Sequence, residues 1–313
     1  MLTYLIILLD DTSVSYCHYE AATEKRLMPL DTLQAGIVFA MKENLNVQFI
    51  YPDYKLPVDY ERIIESIDHV KIKPYTQKDG ADIVVLKNWN NCDDNCIDGA
   101  VYTIHTTRIE LKDNIDKIKT ILCKVGRLNI ILNDIEDFKD EEASEYSSVL
   151  SELSDKLIEL FSSDKTVQLN LLTDRILLTK MNNCDAGYSN VTLAPNGKFY
   201  ICPAFYYCNS EDSVGDLTDG LNIKNHQLLR LDYAPICRHC DAFQCKRCVW
   251  LNNKLTNDMN TPSHQQCVMA HLERNASRHL LLKMKEHDIQ LRGTHDIEEI
   301  NYLDPFNNYK KWK

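Results

Sequence analysis

Eight cysteines fall between Cys184 and Cys267, and their spacing restricts what the last third of this chain can fold into more than any other feature. They are Cys184, Cys202, Cys208, Cys237, Cys240, Cys245, Cys248 and Cys267; only Cys17, Cys92, Cys96 and Cys123 precede them. Cys237-x2-Cys240-x4-Cys245-x2-Cys248 is a pair of CxxC knuckles, whose turns aim backbone N–H groups at the sulfurs and favour thiolates. Upstream, two alternating runs meet at Asn196-Gly197. That pair predicts a hairpin with both turn residues at positive φ, bringing Cys184 and Cys202 toward one site. Eight thiolates fill two four-coordinate centres, whereas seven leave one centre open or closed by another group. Spacing alone leaves zinc and iron–sulfur equally open, because thiolates suit both. Arg238, His239, Lys246 and Arg247 interleave with the sulfurs and offset their charge.

The first 180 residues read differently. Short apolar runs recur at 5–9, 47–51, 70–72, 83–86, 101–104, 128–132 and 167–172, separated by helical patterns. Residues 30–42 follow Pro29, and residues 143–161 place Val149, Leu150, Leu153, Leu157, Leu160 and Phe161 on one face. Strand and helix in alternation predict an α/β fold with a mostly parallel sheet. After Cys267, residues 268–285 read as one more helix, and the tail NYLDPFNNYKKWK as a docked terminus.

Several function classes drop out. Nine glycines in 313 residues include no GxG, so neither a dinucleotide fingerprint nor a Walker A loop is present. A net charge of −11 argues against a nucleic-acid partner. The opening run Leu5–Leu9 is too short for a membrane span and lacks the flanks of a signal peptide, so the expectation is a cytoplasmic protein with no membrane partner. In that compartment clustered cysteines point to metal rather than disulfides. Cys17-His18 reads as structural, Cys123 as a core residue, and Cys92-x3-Cys96 as two loop thiols. The seven carboxylates between Asp134 and Glu145 read as a solvated helix entry, with a docking surface for a basic peptide as the sharper alternative.

The order C-x12-G-x4-C (Cys184, Gly197, Cys202), then Val214-Gly215-Asp216-Leu217, the four-cysteine knuckle and a last cysteine resembles the SPASM domain. That domain ends many radical S-adenosylmethionine peptide-modifying enzymes and binds auxiliary [4Fe–4S] clusters. The knuckle departs in detail, being Cx2Cx4Cx2C where the family has Cx2Cx5Cx3C. Stretches such as LDDTSVSYCHYE, LDTLQAGIVFAMKENL and FIYPDY are similar to the CXXX repeat peptide maturase family.

The resemblance implies a degenerate radical-SAM-like α/β domain over 1–180, built as a partial (β/α)6 barrel. It implies a small SPASM-like metal-binding domain over 181–285 and a tail over 286–313. The family's CxxxCxxC loop after the first strand would bind the cluster that cleaves the cofactor. Aligned on Cys17, its other two places hold Asp10 and Val14, and the Gly-Gly-Glu-Pro turn after the second strand is replaced by residues 51–57, YPDYKLP. Binding of S-adenosylmethionine is therefore not expected, whereas two auxiliary [4Fe–4S] clusters are. By analogy Cys184, Cys202 and Cys248 hold the first, with Cys208 or an open iron as fourth ligand. Cys237, Cys240, Cys245 and Cys267 hold the second.

The implied function is maturation of a ribosomally made peptide. The chain would be an accessory that binds a cysteine-rich precursor peptide for a partner modifying enzyme, or passes electrons to one. Two alternatives stand beside it: an active radical enzyme using Cys17 with Cys92 and Cys96, and a zinc-stabilised protein-interaction module. No catalytic residue is assigned.

Overall fold

The computed structural model of the chain describes residues 2–91, 96–178, 184–240, 242, 248–291 and 293–297. In chain order the elements are β1 (Tyr4–Leu8), α1 (Leu30–Lys42), β2 (Asn46–Ile50), α2 (Val58–Ile64), β3 (His69–Pro74) and β4 (Ile83–Leu86). Then come β5 (Val101–Thr106), α3 (Arg108–Asp113), α4 (Ile115–Leu122), β6 (Arg127–Leu132), α5 (Ala143–Ser162), β7 (Gln168–Leu169) and α6 (Thr173–Leu177). The chain continues through β8 (Asn190–Leu193), β9 (Phe199–Tyr200), α7 (Pro203–Cys208), β10 (Gly215–Asp216), β11 (Gly220–Leu221), α8 (Val249–Thr256) and α9 (His264–Glu286). The α/β class expected from the alternation of runs is the one observed.

Packing divides the chain into two interleaved units, residues 1–87 with 185–230, and residues 88–184 with 231–313. This is a division by contact, distinct from the functional division at 180 and 285 expected from sequence. In the first unit the strand order is β4-β3-β2-β1-β8-β9. Strands β1 to β4 run parallel, β8 joins β1 in parallel, and β9 folds back antiparallel. Successive parallel pairing needs crossovers, which α1 and α2 supply. Leu5, Ile7 and Leu9 share one face of the first strand and its exit, and cluster with Val47, Phe49, Val191, Leu193 and the α1 residues Leu33, Ile37 and Ala40. Leu8 and Ile6 are buried too, as a strand covered on both faces requires.

The β8–β9 hairpin forms, with Thr192 opposite Tyr200 and Leu193 opposite Phe199, but its turn differs from expectation. Only Gly197 has positive φ (79°), not Asn196. Gly197 N–H donates to the Ala194 carbonyl (2.9 Å), and Ala194 N–H to the Lys198 carbonyl (3.1 Å). Pro195 fixes φ at the first corner, which suits a type I turn closed by a left-handed glycine better than a two-residue turn.

In the second unit β5, β6 and β7 are parallel and adjacent in that order. The strand expected at 167–172 is cut to two residues. Thr173 Oγ1 accepts from Leu169 N–H (2.9 Å) and donates to the Leu169 carbonyl (3.0 Å), turning the chain into α6. Helix α5 has 20 residues and buries its predicted stripe, and α9 has 23. A reciprocal cap starts α9: the Ser263 hydroxyl accepts from Gln266 N–H, and the Gln266 side chain accepts from Ser263 N–H. A charged triad locks these helices. Glu273 of α9, 1% exposed, accepts from Arg175 of α6 (2.7 Å) and from the Tyr146 hydroxyl of α5 (2.7 Å).

The acidic run 134–145 is mostly consumed within this unit. Asp134 and Glu142 flank Arg108, Glu145 pairs with Lys112, Glu136 with Lys254, and Asp140 with His264. That supports the helix-entry reading over a docking surface. Among the described residues no helix is long and apolar enough to cross a membrane.

Candidate metal centre and the loop after the first strand

The loop leaving β1 is held by its own carboxylates. Asp10 has no solvent exposure. One of its oxygens accepts from Thr12 N–H (2.8 Å) and the Thr12 hydroxyl (2.5 Å); the other accepts from the Tyr54 hydroxyl (2.8 Å). Ser13 Oγ accepts from Asp10 N–H (3.0 Å) and donates to the Ile50 carbonyl at the end of β2 (2.8 Å). Asp11 pairs with Arg26 (2.9 Å) and accepts from the Tyr206 hydroxyl, which Arg26 also contacts. Burial, then the bond to Asp10, pushes the Tyr54 phenol well above its ordinary range.

Behind the carboxylates lies a chain of tyrosine rings. Tyr19 stacks on Tyr207 with centroids 5.2 Å apart and planes 10° from parallel, and Tyr207 contacts Tyr206 at 5.1 Å. Burial holds the Tyr19 and Tyr207 phenols above their ordinary value. The buried Tyr207 hydroxyl has no hydrogen-bond partner among the described residues.

The donor chemistry of this loop does not fit a cluster held by three thiolates. Of the three places, Asp10 is engaged on both oxygens, Val14 has no ligand atom in its side chain, and Cys17 alone brings a sulfur. The two segments that depart from the family pattern also meet each other, because Tyr54 belongs to YPDYKLP and Asp10 to the β1 loop.

The C-terminal cysteines occupy turns and helix starts. In the first unit Cys202 is the buried N-cap residue of α7, and Cys208 its exposed last residue. In the second unit Cys184 is exposed and precedes the boundary with the first. Cys237, 3% exposed, opens a 3-10 turn over Cys237–His239 that Cys240 ends; Cys240 N–H donates to the Cys237 carbonyl (3.1 Å). Cys248 is the N-cap residue of α8, and Cys267 lies buried in the first turns of α9. Cys245 and Cys92 lie outside the described residues, as does the tail 298–313.

Two contacts bear on metal binding. Ala242 N–H donates to Cys240 Sγ (3.4 Å), the kind of bond that favours a thiolate. Cys240 Sγ also lies 4.0 Å from Nε2 of His271, a residue of α9 only 2% exposed. A partly exposed sulfur that receives an N–H and has an imidazole beside it offers donor types that suit a soft metal. As they stand, no three His, Cys, Asp or Glu side chains among the described residues are close enough together to hold an ion. His271 is the residue the sequence reading missed. Its signal was the interval Cys267-x3-His271, which puts both side chains on one face of a helix.

No family model matches the chain, and no curated protein matches it. Its fold is similar to the solved structure of histidine-tagged anSMEcpe with bound AdoMet, an anaerobic sulfatase maturating enzyme of the radical SAM/SPASM type. The TM-score is 0.61 at 14% identity, over 90% of this chain and 98% of that one. The large parallel sheet with its helices is thus similar in fold to that enzyme.

Proposed function

We propose that this chain is a peptide-maturation protein of the CXXX repeat type, an accessory that binds a cysteine-rich precursor peptide and holds auxiliary metal centres on its C-terminal cysteines. One observation carries the reading. Where the resemblance puts the cofactor-cleaving cluster and its glycine turn, this chain has Asp10 buried against Thr12 and Tyr54. Those side chains hydrogen-bond to one another and the loop carries one cysteine, Cys17, so radical initiation would have to come from a partner enzyme. The similarity of fold to a peptide- or protein-modifying enzyme supports the substrate class.

Bound [4Fe–4S] clusters would supply one-electron chemistry and, at an iron lacking a fourth cysteine, a place for a peptide thiolate. By the resemblance Cys184, Cys202 and Cys248 hold the first centre, with Cys208 or an open iron as fourth, and Cys237, Cys240, Cys245 and Cys267 serve the second. The chain's own part is to keep those sulfurs ionised and the peptide in reach.

A second reading is an active radical enzyme, favoured by the AdoMet bound to the structural neighbour. Anaerobic protein reduced with dithionite separates the two. The accessory reading expects no 5′-deoxyadenosine from S-adenosylmethionine and no loop cluster, but retention of the precursor peptide on the immobilised chain. Reductive cleavage together with about twelve iron per chain, enough for three clusters, would establish the enzyme instead.

A further inference from the structure

We propose that Tyr206 is a redox-active tyrosine. It gives one electron to a sulfur-centred radical on the bound peptide while its phenolic proton passes to Asp11, and the rings packed on it carry the electron. The proposal deepens the reading above and takes its oxidant from it, because a cysteine-rich peptide handled by a radical enzyme is a source of thiyl radicals.

Five tyrosines of the first unit form a run of ring contacts. Tyr16 meets Tyr19 with centroids 6.0 Å apart, and Tyr19 stacks on Tyr207 at 5.2 Å. Tyr207 meets Tyr206 at 5.1 Å, and Tyr206 meets Tyr200 at 5.0 Å. All four separations are those of direct aromatic contact, across which an electron passes from ring to ring with no intervening carrier. The run joins the loop after β1 to β9 and α7.

Proton acceptors single out Tyr206 within that run. A phenol that loses an electron becomes a strong acid, so its oxidation is easy only where a base takes the proton in the same step. Tyr19 donates to the Val14 carbonyl (2.7 Å) and Tyr200 to the Ser210 carbonyl (2.7 Å), and Tyr207 has no acceptor among the described residues. A carbonyl accepts a hydrogen bond but does not take the proton. Tyr206 donates to the Asp11 carboxylate, which does. Arg26 fixes the pair, binding Asp11 (2.9 Å) and donating to the Tyr206 oxygen. Tyr206 is buried, so a phenoxyl radical formed there is kept from coupling with a second one. Tyr51 and Tyr54 also donate to carboxylates, Glu61 and Asp10, but each has a lysine ammonium over its ring, at 4.8 and 4.3 Å, which holds the ring electrons more tightly. In the step itself the thiyl sulfur gains one electron and becomes a thiolate. Tyr206 loses that electron and its O–H bond, leaving a neutral phenoxyl radical, and the proton forms an O–H bond on Asp11. One electron from a reduced ferredoxin-type carrier, with the proton returned by Asp11, restores the phenol.

The test uses the full chain under anaerobic conditions, with flash-generated tris(bipyridine)ruthenium(III) as the one-electron oxidant and samples freeze-trapped for electron paramagnetic resonance. The expected signal is a long-lived tyrosyl radical coupled to a proton that exchanges in deuterated water. Replacement of Tyr206 by difluorotyrosine keeps the shape of the ring and should split that signal through its fluorine nuclei, a readout that does not depend on Tyr206→Phe folding. Asp11→Asn removes the base and should slow formation of the radical by at least about 100-fold. A long-lived signal without fluorine splitting in the difluorotyrosine protein, or one formed as fast in Asp11→Asn, overturns the proposal. The functional reading fails separately. A synthetic cysteine-repeat peptide that the immobilised chain does not retain would remove the accessory role and leave a redox-active Tyr206 standing. Retention of that peptide with no radical at position 206 would overturn this proposal alone.

Discussion

Asp10 is a buried carboxylate held entirely by its neighbours. A carboxylate with no exposure must have its oxygens satisfied, and Thr12 and Tyr54 do so. Tyr54→Phe removes one hydrogen bond to that carboxylate and should lower unfolding free energy by about 1.5–3 kcal/mol in denaturant titration. Tyr207→Phe should act the other way. Its hydroxyl is buried without a partner among the described residues, so deleting it is expected to be neutral or stabilising by about 1 kcal/mol, read as a rise in Tm. Glu142 gives a pH effect whose sign is fixed by its partner. The Arg108 side chain, with the Lys139 N–H second, holds its carboxyl below the usual value. Its share of stability is therefore present above about pH 4.3, the unfolded value, and is lost as pH falls through the lower folded value. Because Glu142 is 39% exposed, that share stays within about 1 kcal/mol. Arg108→Met should make the acid limb of a Tm–pH curve shallower below that pH.

Among the elements α9 carries the most consequence. It brings His271 beside Cys240 and Glu273 to Arg175 and Tyr146, and its frame is set by the Ser263 cap. Ser263→Ala should cost about 0.5–2 kcal/mol, with the first turn exchanging amide protons faster. Arg175→Met leaves the Glu273 carboxylate buried without the guanidinium that balances its charge. The expected cost is about 3–5 kcal/mol in denaturant titration. Tyr146 cannot relieve it by giving up its proton, because burial and then the Glu273 carboxylate hold that phenol well above its ordinary value.

For the whole molecule, the proposed metal centres would link metal binding to fold. The second unit places several cysteines at turns and helix starts, so removing metal bound there should loosen it. Dialysis against a strong chelator is expected to lower Tm, and restoring zinc and iron with sulfide should raise it again. A Tm indifferent to chelation in protein that has lost its metal would count against any structural role for these centres. The fold is similar to that of anSMEcpe, and at 14% identity the likeness is one of fold. Chemistry must be read from the side chains, and these put a hydrogen-bond network after β1 where the resemblance expects a cluster.

Much of this was set by sequence alone. Strands β1 to β6 and helices α1, α5 and α9 lie where apolar period and β-branched runs put them, because burial patterns are local records of which face meets the core. Cysteine spacing singled out the segment proposed to bind metal, since a CxxC turn is short enough to be determined by its own residues. What the sequence could not supply were pairings across long intervals. Tyr54 on Asp10, Tyr206 on Asp11 and His271 beside Cys240 span 44, 195 and 31 residues. The turn at Gly197, by contrast, departs from the two-residue form for a local reason, Pro195 at its first corner. The long pairings depend on where packed elements bring side chains together, and only the tertiary structure fixes that.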